Sequence, residues 1–129
     1  MNSLNKQIAQ EYGRFIQQFD WKYFVTCRSP YSITTTTVNR WCDKLFNANL
    51  SVTRIFWAME RDKGDASNKH VHMLIEAILD LNYKQIRKGL GNIPVGDFQE
   101  IYDKPLVCGY TTKFITYQGI EYNYLESKS

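Results

Sequence analysis

The chain has two histidines, and they stand together as His70-Val71-His72 inside an apolar run. Chance would place two histidines two positions apart in roughly 1.5% of arrangements of a chain this long, so the spacing carries information. On a strand, alternation puts both imidazoles on one face and Val71, Met73 and Ile75 on the other. Two imidazoles on one face are half of a divalent-metal site. Glu60, closing the preceding apolar run, supplies a candidate third ligand once the two runs pair as a hairpin. A Glu/His/His set with open positions suits a catalytic Mg²⁺ or Mn²⁺ ion that also holds water and a phosphate oxygen. Further along, Gly109-Tyr110-Thr111-Thr112-Lys113-Phe114 places Tyr110 and Lys113 one helical turn apart. A phenol titrates near pH ~10 and is a weak nucleophile at neutral pH, so it needs a polarised phosphate and a nearby cation. The ion and Lys113 would supply these. A Tyr-x-x-Lys pair is ordinary in a chain with nine tyrosines, so it gains weight only from the histidines.

These groups need elements to hold them. Leu4, Ile8, Tyr12, Phe15, Ile16 and Phe19 recur at helical spacing, which predicts an amphipathic helix over the first twenty residues. From Trp21 to Arg28 the pattern alternates, with Trp21, Tyr23, Val25 and Cys27 on one side, and predicts a half-buried, central strand ending at Ser29-Pro30. Ser32 or Thr34 caps a second helix with the stripe Val38, Trp41, Cys42, Leu45 and Phe46. Arg54 to Glu60 and His70 to Ala77 read as two strands joined by a long polar loop. Asp80 is positioned to cap a short helix through Tyr83, Ile86 and Leu90, and a strand follows near Asp97 to Tyr102. The last helix begins at Asp103 as N-cap with Pro105 in its first turn, runs along Leu106, Val107, Tyr110, Phe114 and Tyr117, and stops at Gly119. Glu121 to Leu125 reads as an edge strand.

That order suits an α+β fold, a mainly antiparallel central sheet flanked by helices packed largely on one face, in a split β-α-β arrangement of the ferredoxin or RNA-recognition type. A length of 129 residues with 43% hydrophobic content suits one domain, residues 1–129, with one core. No apolar run is long enough for a membrane span and no secretion signal is visible, so a cytoplasmic protein is expected. Cys27, Cys42 and Cys108 are odd in number and lack Cys-x-x-Cys spacing, which argues against a disulfide framework or zinc knuckle and for small apolar core residues. Net charge of +3 permits nucleic-acid binding without announcing it. An aromatic content of 15% is ample for both a packed core and some stacking on unpaired bases.

Taken in order, Phe24-Val25-Thr26, His70-Val71-His72 and Tyr110-Thr111-Thr112-Lys113 resemble the three motifs of the HUH superfamily of rolling-circle replication initiators and related nucleases. Glu60 lies where viral and plasmid members carry a further metal ligand. The resemblance spans residues 21 to 117. It implies that Glu60, His70 and His72 hold Mg²⁺ or Mn²⁺, that Tyr110 attacks a phosphate of single-stranded DNA to give a 5′-phosphotyrosine and a free 3′-hydroxyl, and that Lys113 assists. Position 114 is Phe where two-tyrosine members carry their second tyrosine, which implies a one-tyrosine enzyme, with Tyr117 as the reserve nucleophile. The similar-sized insertion-sequence transposases typically pair the tyrosine with a downstream glutamine, which favours a replication initiator. Such a protein is usually encoded by a virus, plasmid or mobile element, relies on a host helicase and polymerase, and in some cases is a homodimer.

DNA binding calls for a basic surface beside stacking groups. Arg28, Lys63 and Lys69 flank the expected metal site and are the first candidates; Lys22, Arg61, Lys84, Arg87 and Lys88 are more ordinary surface charges. Two rival classes share parts of the pattern. A non-catalytic single-strand-binding module of RNA-recognition type would use the sheet's aromatic rings, but its aromatic-rich signature is absent and it leaves the histidine pair without a role. A metal-dependent hydrolase of small phosphoesters would use the metal and leave Tyr110 merely positional.

Overall fold

A computed structural model describes residues 3–29, 33–62, 65–91, 93–112 and 120–128. They form, in order, α1 (Ser3–Gln17), β1 (Tyr23–Arg28), α2 (Thr35–Ala48), β2 (Val52–Asp62), β3 (Asp65–Ala77), α3 (Tyr83–Leu90), β4 (Val95–Glu100), α4 (Lys104–Thr112) and β5 (Glu121–Glu126). Local chemistry sets the helix starts. The Thr34 hydroxyl accepts from the Thr37 amide at 3.2 Å and caps α2. Asp103 Oδ1 accepts from the Leu106 amide at 3.2 Å and starts α4. Asn82, rather than Asp80, caps α3. Asn82 has Gln85 three residues on, and the pair closes a reciprocal capping box, whereas Asp80 has Tyr83 at that position. Asp80 instead lies 3.6 Å from Lys22 Nζ.

The sheet has the order β4-β1-β3-β2-β5, with each neighbouring pair antiparallel. Because β3 lies between β1 and β2, the unit β1-α2-β2 is a split β-α-β, and β3-α3-β4 is a second one around β1. This is the α+β, ferredoxin-like arrangement that the pattern predicts, with β5 added along β2.

Three expectations change. The helices cover both faces, α2 and α3 on one and α1 and α4 on the other. The central strands are apolar on both sides: Val25, Trp57, Met73 and Ile75 face α2 and α3, while Phe24, Phe56, Ala58 and Leu74 face α1 and α4. A sheet with two apolar faces needs two covers. The hairpin between β2 and β3 has no long loop, since pairing continues through Arg61↔Lys69 and Asp62↔Asp65. Once the buried part fixes the register, backbone pairing continues without apolar side chains. Trp21 precedes the paired strand and turns away from Tyr23 toward α1, where its indole donates to the Ile16 carbonyl at 2.6 Å.

In α1 the innermost residues are Ala9, Gly13 and Ile16, while Leu4, Ile8 and Phe15 at the edge of the apolar stripe stay exposed. Small residues win the inner positions because α4 passes close: a Cβ on Gly13 would lie 3.1 Å from Thr112 Oγ1. All three cysteines are buried and free. Burial pushes the Cys27 thiol up to about 12 and, against a lowering by Lys104, the Cys108 thiol up to about 11, so both are inert core residues at neutral pH. Among the described residues, no helix is long and apolar enough to cross a membrane.

Candidate metal centre

Register builds the centre. Glu60 on β2 stands opposite His70 on β3, Ala58 opposite His72, and on the other flank Thr26 and Arg28 of β1 stand opposite His72 and His70. Alternation turns Glu60, His70, His72 and Thr26 to the face that α1 and α4 cover, because Met59, Val71 and Met73 belong to the opposite core. The ligand atoms of Glu60, His70 and His72 lie within 4.8 Å of one another. Glu60 Oε2 is 3.4 Å from His70 Nε2 and 3.7 Å from His72 Nε2. The two rings sit 4.7 Å apart at 73°.

Two neighbours hold His72 in place. Its Nδ1 is 3.0 Å from Thr26 Oγ1, so its Nε2 is the nitrogen that meets Glu60. Its other support is the Phe24 ring, stacked at 5.2 Å between centroids. Ala58, opposite His72, is small enough to leave room for the imidazole. Glu60 is 9% and His72 5% exposed, so a charge here is screened little by water. Burial alone would raise the Glu60 carboxyl, but the contacts with His70 and His72 outweigh it and hold it at about 2. The group is therefore a carboxylate at any ordinary pH.

Glu60 Oε1 is buried and has no hydrogen-bond partner among the described residues. A buried carboxylate oxygen without a donor is costly, and a divalent cation is one way to satisfy it. At these separations the carboxylate and the two imidazoles are near enough to share one divalent ion. Two imidazoles and one carboxylate fit Mn²⁺ or a similar ion better than an all-oxygen site would, and leave positions open for water and substrate.

The other residues expected at the site divide. Arg28 is exposed and pairs with His70 across the strands, so it stands at the rim of the centre. Lys69 is not brought there: one residue before His70, it faces the other side and donates to the Ile33 carbonyl at 3.3 Å. Lys84, Arg87 and Lys88 ride on α3, which also covers the far face. Tyr110 lies in α4, one turn beyond Leu106 and Val107; its side chain, like Lys63, Lys113 and Tyr117, lies outside the described residues.

A cleft of about 410 Å³ adjoins His72, lined by Phe24 and Thr26 of β1, Asp97 and Gln99 of β4, and Leu106 and Val107 of α4. Sequence reasoning missed Asp97 and Gln99 here. Their i, i+2 spacing beside an apolar strand was the available signal, but the face they take depends on a bulge that the pattern does not show. The chain matches no protein-family model, no curated protein and no solved structure.

Proposed function

We propose that this chain is a metal-dependent, single-tyrosine endonuclease of the HUH type, acting on single-stranded DNA to initiate rolling-circle-type replication. The observation that carries the reading is the convergence of Glu60, His70 and His72 within 4.8 Å on the sheet face covered by α4, the helix that contains Tyr110. A core histidine pair has no need of a buried glutamate between its Nε2 atoms, whereas a metal site does.

A divalent ion bound there would draw charge from the scissile phosphate and make it more electrophilic. The protein's own groups do the rest. Glu60, His70 and His72 hold the ion's position, and Thr26 and Phe24 hold the His72 ring. The Tyr110 oxygen forms a bond to phosphorus, its proton passes to solvent, and the bond from phosphorus to the 3′-oxygen breaks. The 3′-oxygen leaves as a hydroxyl after taking a proton from water, and the 5′-phosphate stays on Tyr110 as a diester. That diester conserves the energy of the broken link for later rejoining. Lys113 assists at the phosphate, and Arg28 contacts the strand at the rim. A separate helicase and polymerase would extend the free 3′ end.

The test is a denaturing gel of the protein incubated with Mn²⁺ and single-stranded hairpin oligonucleotides, including DNA of the native replicon. A slow-migrating protein–DNA adduct is expected, absent with chelator and absent in His72→Ala and Tyr110→Phe. An adduct that survives Tyr110→Phe would transfer the nucleophile to Tyr117. No adduct with any oligonucleotide, while Mn²⁺ still binds, would overturn the endonuclease reading.

A further inference from the structure

The cleft beside His72 has the make-up of a site for one flat, polar-edged group. Its apolar lining is Leu106 and Val107 of α4 and Phe24 of β1, and its polar groups are Asp97 and Gln99 of β4 with Thr26 and His72 beside them. Gln99 Nε2 donates to Asp97 Oδ2 at 2.9 Å, which fixes the two side chains relative to each other. Asp97 faces the cleft only because of a bulge. In the pairing of β4 with β1, Val95 stands opposite Cys27 and Asp97 opposite Thr26, so Gly96 is the extra residue between them. Val95 packs into the core under α2 and α3, and unbroken alternation would send Asp97 into that same core. The bulge instead turns Asp97 onto the face that carries the Glu60, His70 and His72 cluster.

We infer that this cleft takes one unpaired nucleobase of the strand and selects a base bearing an exocyclic amino group. The inference rests on the nucleic-acid reading above. An anionic carboxylate repels a phosphate, so the backbone is not what enters. Leu106, Val107 and Phe24 suit the faces of a base, and the Asp97 carboxylate offers acceptor oxygens at the edge. Cytosine presents an N4 amino group to such an acceptor, whereas thymine presents at that position a carbonyl oxygen, which a carboxylate there repels.

The experiment measures binding of fluorescent oligo-dC and oligo-dT single strands by anisotropy in chelator, where no cleavage takes place. The wild-type chain is expected to bind oligo-dC about tenfold more tightly than oligo-dT. Asp97→Asn, whose amide both donates and accepts, is expected to bring the ratio close to one. Gln99→Ala is expected to narrow it. Using the ratio removes the general gain in affinity that follows from deleting a negative charge. Asp97 is half-buried and Gln99 exposed, so both variants are expected to unfold at the wild-type temperature. A wild-type ratio near one, or a ratio that Asp97→Asn leaves unchanged, would overturn the inference. The two readings separate: a base preference without an adduct leaves the cleft and removes the nuclease, and an adduct without a preference does the reverse. If neither strand binds, the inference falls, and the adduct assay alone decides the nuclease reading.

Discussion

Thr26 shows how much one side chain contributes at the candidate metal centre. Its hydroxyl sits 3.0 Å from His72 Nδ1 and so decides which imidazole nitrogen turns to Glu60. Partners of this kind typically change metal affinity 10–100-fold. Thr26→Val keeps shape and volume, so a loss of about that size in Mn²⁺ affinity by calorimetry is expected with the fold intact, and Thr26→Ser should restore most of it. Equal affinities in all three chains would mean that Phe24 alone holds the ring. The clustering of the three candidate ligands was legible in the sequence because His70-Val71-His72 keeps the two-residue period of a strand and Glu60 closes the strand that pairs with it. The same period explains the failure at Lys69. Nearness in sequence to His70 suggested nearness to the site, but a step of one residue changes face. Thr26 stood in a recognised motif without its role, since its partner comes from a strand 46 residues away.

At the scale of elements, the candidate ligands stand on two hydrogen-bonded strands, β2 and β3, with β1 paired alongside, whereas Tyr110 rides on a helix that packs mainly on another helix. In that helix pair Gly13 faces Thr112, whose hydroxyl is already bonded to the Cys108 carbonyl at 2.8 Å. Gly13→Leu forces the two helices apart and is expected to cost about 1–3 kcal/mol in urea unfolding. It should slow adduct formation while leaving Mn²⁺ affinity near wild type. A parallel fall in both would show that the helix layer also shapes the strands. Helix starts were legible where a capping residue has its partner at fixed spacing, as with Thr34 and Asp103. The exact cap of α3 turned on Gln85, and the two-sided cover of the sheet turned on Phe24, Phe56 and Leu74, which give the face that carries the histidines an apolar core of its own.

Across the whole molecule, the end of the sheet away from the metal centre is tied by Glu76. Its carboxylate accepts from Thr53 Oγ1 and Arg54 Nη1, each at 2.6 Å, and from the Asp20 amide at 2.9 Å, so it joins β2, β3 and the segment leading out of α1. Burial pushes the carboxyl up, but these bonds outweigh it and hold it below its ordinary value. A carboxyl lowered by folding contributes stability that is present above the unfolded value and lost as pH falls through the folded one. Glu76→Gln is therefore expected to cost about 1–3 kcal/mol at neutral pH, a gap that closes on acidification below the ordinary carboxylate range. Urea midpoints across that range check it; a constant gap would assign the loss to packing. The split β-α-β units were legible from element order, but this tie was not, because it joins residues far apart in sequence.

The layer that covers the candidate metal centre is drawn from both ends of the run from β1 to β4, α1 before it and α4 after it. A chain made from its N-terminus releases the strands bearing Glu60, His70 and His72 from the ribosome well before α4. A nascent chain thus has all three candidate metal ligands before it has the helix that carries Tyr110, so under the proposed reading any metal binding would precede catalytic competence.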